Sequence, residues 1–84
     1  MKITTALDFQ TVSDTLRKEL RSIGYNPDLN KMYLNIESMV RELSKLEVMA
    51  RRSHKSNITI DKINEINKAI DHLEKLIMMA KLMM

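Results

Sequence analysis

The chain has no cysteine and no tryptophan. In 84 residues it carries one glycine, one proline, two tyrosines and one phenylalanine. Without cysteine there is no disulfide staple, no thiol nucleophile and no thiolate zinc site. The single glycine, Gly24, leaves nothing from which to build a glycine-rich loop that cradles phosphates. Sparse glycine and proline beside a hydrophobic fraction of 44% argue against both disorder and a turn-rich β fold. There are only two histidines. His54 falls in a polar run and His72 at an outward helical position, neither with a partner at metal-ligand spacing, so no metal or cofactor is expected. Residues 1–20 lack the continuous apolar stretch of a secretory signal, and no run approaches 18 apolar residues. The expectation is a soluble, cytoplasmic protein that does not enter membranes.

What is present is helical periodicity. Phe9, Val12, Leu16, Leu20 and Ile23 keep helical spacing while Asp14, Arg17, Lys18, Glu19 and Arg21 lie off that stripe, predicting a first helix over about 6–23. Met1 to Thr4 reads as a loose lead-in. Thr5 reads as the N-cap, with Asp8 completing a short capping box. Gly24 is placed for a left-handed stop, with Tyr25 folding back on Leu20 in a Schellman motif. Asn26-Pro27-Asp28 then supplies an N-cap, a first-position proline and a first-turn acid, opening a second helix over 27–52.

That second helix repeats every seven residues. Leu29, Ile36, Leu43 and Ala50 fall at a, Met32, Met39 and Leu46 at d, and Tyr33 and Val40 widen the stripe at e. A third helix over 60–83 carries Ile63, Ile70, Ile77 and Met84 at a and Ile66, Leu73 and Ala80 at d. Ser53 to Asn57 reads as the loop between them, with Thr59 as N-cap and an Ile58–Ile63 hydrophobic staple. Two matched heptad helices joined by a short loop predict an all-α domain over 1–84: a short N-terminal helix plus a long antiparallel hairpin. Leu76, Met78, Met79, Leu82 and Met83 lie outside the heptad seam. Unclaimed apolar surface of that kind marks an interaction site, and a second copy making a homodimeric bundle is its simplest cover. The alternative cover is the first helix laid across that end in a monomeric three-helix bundle.

No catalytic constellation stands out, so a non-enzymatic role is expected. The carboxylates of the third helix alternate with lysines at ordinary surface-pair spacing, and the a and d rows contain no polar group for a substrate. Charge has shape in one place. Between Glu47 and Asp61 the only charged residues are Arg51, Arg52 and Lys55, with His54 among them; this segment carries +3, the formal net charge of the whole chain. Lys45 and Lys62 flank the same end. The six residues are candidate phosphate contacts, with weak sequence preference and steep salt dependence. RNA is favoured narrowly over DNA, since shape readout of RNA needs no groove-entering helix. Against this, Arg51 and Arg52 suit a helix C-terminus for dipole reasons alone, and no aromatic is interleaved to stack on bases.

The residue usage, rich in Ile, Lys, Asn and Met and poor in Gly, Ala and Pro, resembles that of short accessory proteins of large lytic phages with AT-rich genomes. The resemblance is one of composition and rests on no motif. It implies a small factor that counters a host protein such as a toxin or nuclease, or attaches to RNA, and it brings no functional residue with it. Two functions follow as expectations: a nucleic-acid-binding oligomer working through the basic segment, and an inhibitor or adaptor offering its Met/Leu-rich C-terminal helix to a protein groove.

Overall fold

A computed structural model describes residues 1–54 and 56–83. They form three helices and no strand among the described residues: α1 (Phe9–Ile23), α2 (Pro27–Ser53) and α3 (Ser56–Leu82). Two expectations fall outside the described residues: Lys55 as a phosphate contact and Met84 as the last a position. The 27 residues of α2, like those of α3, span about 40 Å at 1.5 Å per residue, and the molecule is 49 Å long.

The boundaries of α2 follow from local chemistry. The Asn26 side-chain oxygen accepts hydrogen bonds from the backbone N–H groups of Asp28 (3.1 Å) and Leu29 (3.3 Å), and Pro27 opens the helix. At the other end His54 closes it with a left-handed backbone, φ 58° and ψ 27°. With His54 as the cap of α2, the loop expected over Ser53–Asn57 shrinks. Ser53 belongs to α2 and α3 begins at Ser56, so Thr59 lies inside the first turns of α3 rather than capping it. Ile58 is half exposed and does not staple the helix start.

The start of α1 also differs from expectation. The Asp8 carboxylate reaches back to the Thr4 and Thr5 N–H groups, both at 3.1 Å, and to the Thr4 hydroxyl. It thereby stabilises a tight turn over 6–8, and regular helix starts three residues late, at Phe9. These hydrogen bonds, that of the Thr4 hydroxyl first, hold the Asp8 carboxyl below the usual carboxylate range. At the end of α1, the Gly24 N–H donates to the carbonyls of Leu20 (3.1 Å) and Arg21 (3.2 Å). Its φ of 92° and ψ of −174° lie in a region that only glycine enters readily, not in the left-handed well of a Schellman motif. The chain therefore leaves in another direction, and Tyr25 is 85% exposed instead of folding onto Leu20.

The core lies where the heptads meet. Ile36 and Leu43 of α2 and Ile66, Ile70 and Leu73 of α3 are fully buried, with Phe9, Val12, Leu16 and Leu20 of α1 on one side. On α2 the buried stripe is a and e (Leu29, Tyr33, Ile36, Val40, Leu43), while the d residues Met32, Met39 and Leu46 are only half-buried. The stripe is turned because α1 docks on the e side of α2. Tyr33 and Ser13 share a buried hydroxyl contact, and Arg17 Nε donates to the Tyr33 hydroxyl at 2.7 Å. Arg17 also reaches Glu37 at 2.9 Å, with its guanidinium 5.8 Å from the centre of the Tyr33 ring.

The same side of α3 holds the N-terminal segment, which is not loose. Ile3 is 1% exposed, and the Asn67 side chain grips its backbone at both ends. Asn67 Oδ1 accepts from the Ile3 N–H (2.7 Å), and Asn67 Nδ2 donates to the Ile3 carbonyl (2.9 Å). The terminal ammonium lies 2.8 Å from Glu74, the Ala6 N–H donates to Glu47, and Lys81 pairs with Glu19 of α1. Asn67, Glu74 and Lys81 recur every seven residues, so one polar row of α3 fastens both the segment and α1. The sequence signal for this was an asparagine beside an otherwise apolar seam and a lone isoleucine in a polar lead-in.

Candidate nucleic-acid interface

The expected phosphate contacts gather where α2 gives way to α3. Arg51, Arg52 and His54 are exposed at the last turn and cap of α2, and Lys45 is exposed two turns earlier. Among the described residues no carboxylate forms an ion pair with any of these four. Arg51 and Arg52 stand at the negative end of the α2 dipole, which holds them near the cap without neutralising them.

Lys62 behaves differently. Its ammonium lies 2.8 Å from Glu42 of α2 and 3.4 Å from Glu65 one turn along α3, and its side chain is largely covered. The hydrogen bond to Glu42 is the main cause that raises the Lys62 pKa, and the same bond lowers that of Glu42. Lys62 is thus a cross-helix pairing residue, and among the described residues the exposed candidates are Arg51, Arg52, His54 and Lys45.

Beside this set lies a shallow cleft of about 530 Å³ between the N-terminal turn and the two long helices, with Arg51, His54 and Glu47 at its rim and Leu7, Ile60 and Ile63 in its walls. The Glu47 carboxylate is occupied by the Ala6 N–H at 3.1 Å.

The candidate partner-binding residues sit at the opposite end of α3. Met78, Met79, Leu82 and Met83 are exposed, whereas Leu76 is half-buried and packs against the core. On the flank of α2 and α3 away from α1 run the half-buried Met32, Met39, Leu46, Ala69 and Leu76, bordered by exposed Met49, Ile58 and Met79. A groove between Met49 and Ile58 has almost wholly apolar walls. Among the described residues no group of three His, Asp or Glu side chains could hold a metal ion, and no helix is long and apolar enough to cross a membrane.

Compared with protein-family models, curated proteins and solved structures, the chain matches none of them.

Proposed function

We propose that this chain is a non-catalytic, nucleic-acid-binding helical protein that works as a homodimer, with α2 and α3 forming an antiparallel hairpin whose basic tip contacts phosphates. Two 40 Å helices separated by two residues fit a 49 Å molecule as a hairpin, and the Glu42–Lys62 pair ties them side by side. The observation that carries the functional part is the grouping of Arg51, Arg52, His54 and Lys45 at the tip, where among the described residues no carboxylate pairs with them, while neighbouring Lys62 is held by Glu42. Contacts of this kind position a backbone and read little sequence, and RNA is the first substrate to try.

The test is an electrophoretic shift with RNA and DNA across a salt series. Binding weakens steeply with salt, and Arg51→Glu with Arg52→Glu reduces affinity at least tenfold while circular dichroism is unchanged. Absence of binding by the wild type at low salt ends the proposal.

A second function is favoured by the exposure of Met78, Met79, Leu82 and Met83 at the far end of α3, a surface fit for a partner's apolar groove. An inhibitor or adaptor acting there loses its partner on Leu82→Asp and is indifferent to charge reversal at the tip.

A further inference from the structure

We infer that a second copy of the chain covers the flank of α2 and α3 that α1 leaves bare, with the two copies aligned so that both basic tips lie at the same end. This rests on the dimer proposed above and adds its face and its direction.

Area supplies the first argument. The chain exposes 6117 Å². A compact monomer of 9.8 kDa exposes about 5,200 Å² by the scaling of surface with mass. The surplus is about 900 Å², close to the roughly 800 Å² that each partner contributes to an interface of standard size. The surplus is also lopsided. α1 and residues 1–6 cover the e rows of α2 and α3, while Met32, Met39, Leu46, Ala69 and Leu76 on the opposite flank stay half-buried. Met49 and Met79 there are 61% and 58% exposed.

Charge supplies the direction. The flank is apolar near the tip (Leu46, Met49, Ile58) and again toward the far end (Met32, Leu76, Met79). Between the two patches lies the Glu42–Lys62–Glu65 cluster. In copies related by a two-fold axis along the helices, α2 of one faces α3 of the other. Glu42 then meets the Lys62 of the second copy at its own level, and the four charges form a ring of alternating sign. In the reversed alignment α2 faces α2: Glu42, near the middle of its helix, approaches the Glu42 of the second copy, and Lys62 comes opposite Leu76, so neither ion meets an opposite charge. Same-end alignment also sets two copies of Arg51, Arg52 and His54 side by side, which makes one doubled tip for a phosphate backbone.

The experiment begins with the mass of the wild-type chain by sedimentation equilibrium up to about 100 μM, where even a modest interface is populated. A dimer is expected, and a monomer throughout overturns the proposal. Direction is read with single cysteines, which the cysteine-free chain makes unambiguous. Chains carrying Met49→Cys, mixed with chains carrying Ile58→Cys, are joined by a short bis-maleimide; joining of Met49→Cys chains to Met79→Cys chains in its place overturns the alignment. Glu42→Lys alone turns the ring wholly positive and weakens the dimer about tenfold or more. Adding Lys62→Glu to the same chain restores it. A Glu42→Lys chain that dimerises as well as wild type refutes the ring. None of these measurements involves nucleic acid, so failure of phosphate binding registers separately.

Discussion

At the scale of single residues, Gly24 and His54 are the two positive-φ positions among the described residues, and they differ in kind. A Cβ added at Gly24 would meet nothing within 4 Å, so the demand for glycine comes from the backbone alone. Gly24→Ala is therefore expected to cost about 1–3 kcal/mol with no clash to relieve, read as a lowered urea midpoint with an unchanged slope. The sequence announced a glycine stop here but not its geometry, because the left-handed and extended positive-φ regions accept the same residue. Asp8 shows a similar limit. An acid three residues after a threonine signals a helix start, and only the three-dimensional path shows that its oxygen is taken by Thr4 and Thr5, which moves the start to Phe9.

At the scale of elements, the heptads located α2 and α3 because an apolar residue every three to four positions is a demand of packing, and packing decides. The same pattern could not say which flank α1 would take. That choice depends on Tyr33, Ser13 and Arg17 meeting across sequence distance, and it shifted the buried stripe of α2 from d toward e. The N-terminal segment was illegible for the same reason: an isolated Ile3 has no periodicity, and its partner Asn67 lies 64 positions away. Ile3→Ala is expected to destabilise the protein by about 2–5 kcal/mol, as for other buried large-to-small changes. A shift in melting temperature checks this, since about 1 kcal/mol moves a domain of this size by 4–8 °C. A loose lead-in would show no change. The basic run at the end of α2 was legible as composition, but the pairing of Lys62 with Glu42 was not, since it joins residues of two different helices.

At the scale of the whole molecule, acidity should weaken the folded state. Asp8 and Glu42 have lowered pKa values because hydrogen bonds favour their charged forms. For Glu37 burial acts the other way, and the bonds from Arg17 and Tyr33 together with the charges of Arg17 and Arg41 outweigh it. Carboxylates lowered on folding stabilise the native state above their unfolded values near 4 and cease to do so as pH falls through the folded values. Lys62 and Arg17 are raised, so their contributions hold below their ordinary values and fade only in strong alkali. Melting temperature should thus fall modestly below about pH 4, since Asp8 and Glu42 lie in solvent and screening limits what each contributes. A melting temperature at pH 3 equal to that at pH 7 would show that these bonds add nothing.

The left-handed cap at His54 has a further consequence: it uncouples two properties that most surface changes move together. Glycine adopts that backbone without the penalty a side chain incurs, which is about 1 kcal/mol or more, so His54→Gly should leave the melting temperature unchanged or higher. The same exchange deletes an imidazole from the exposed basic cluster, so under the proposed function oligonucleotide affinity should drop. One substitution would then sort durability from the proposed recognition, since the two readouts move in opposite directions.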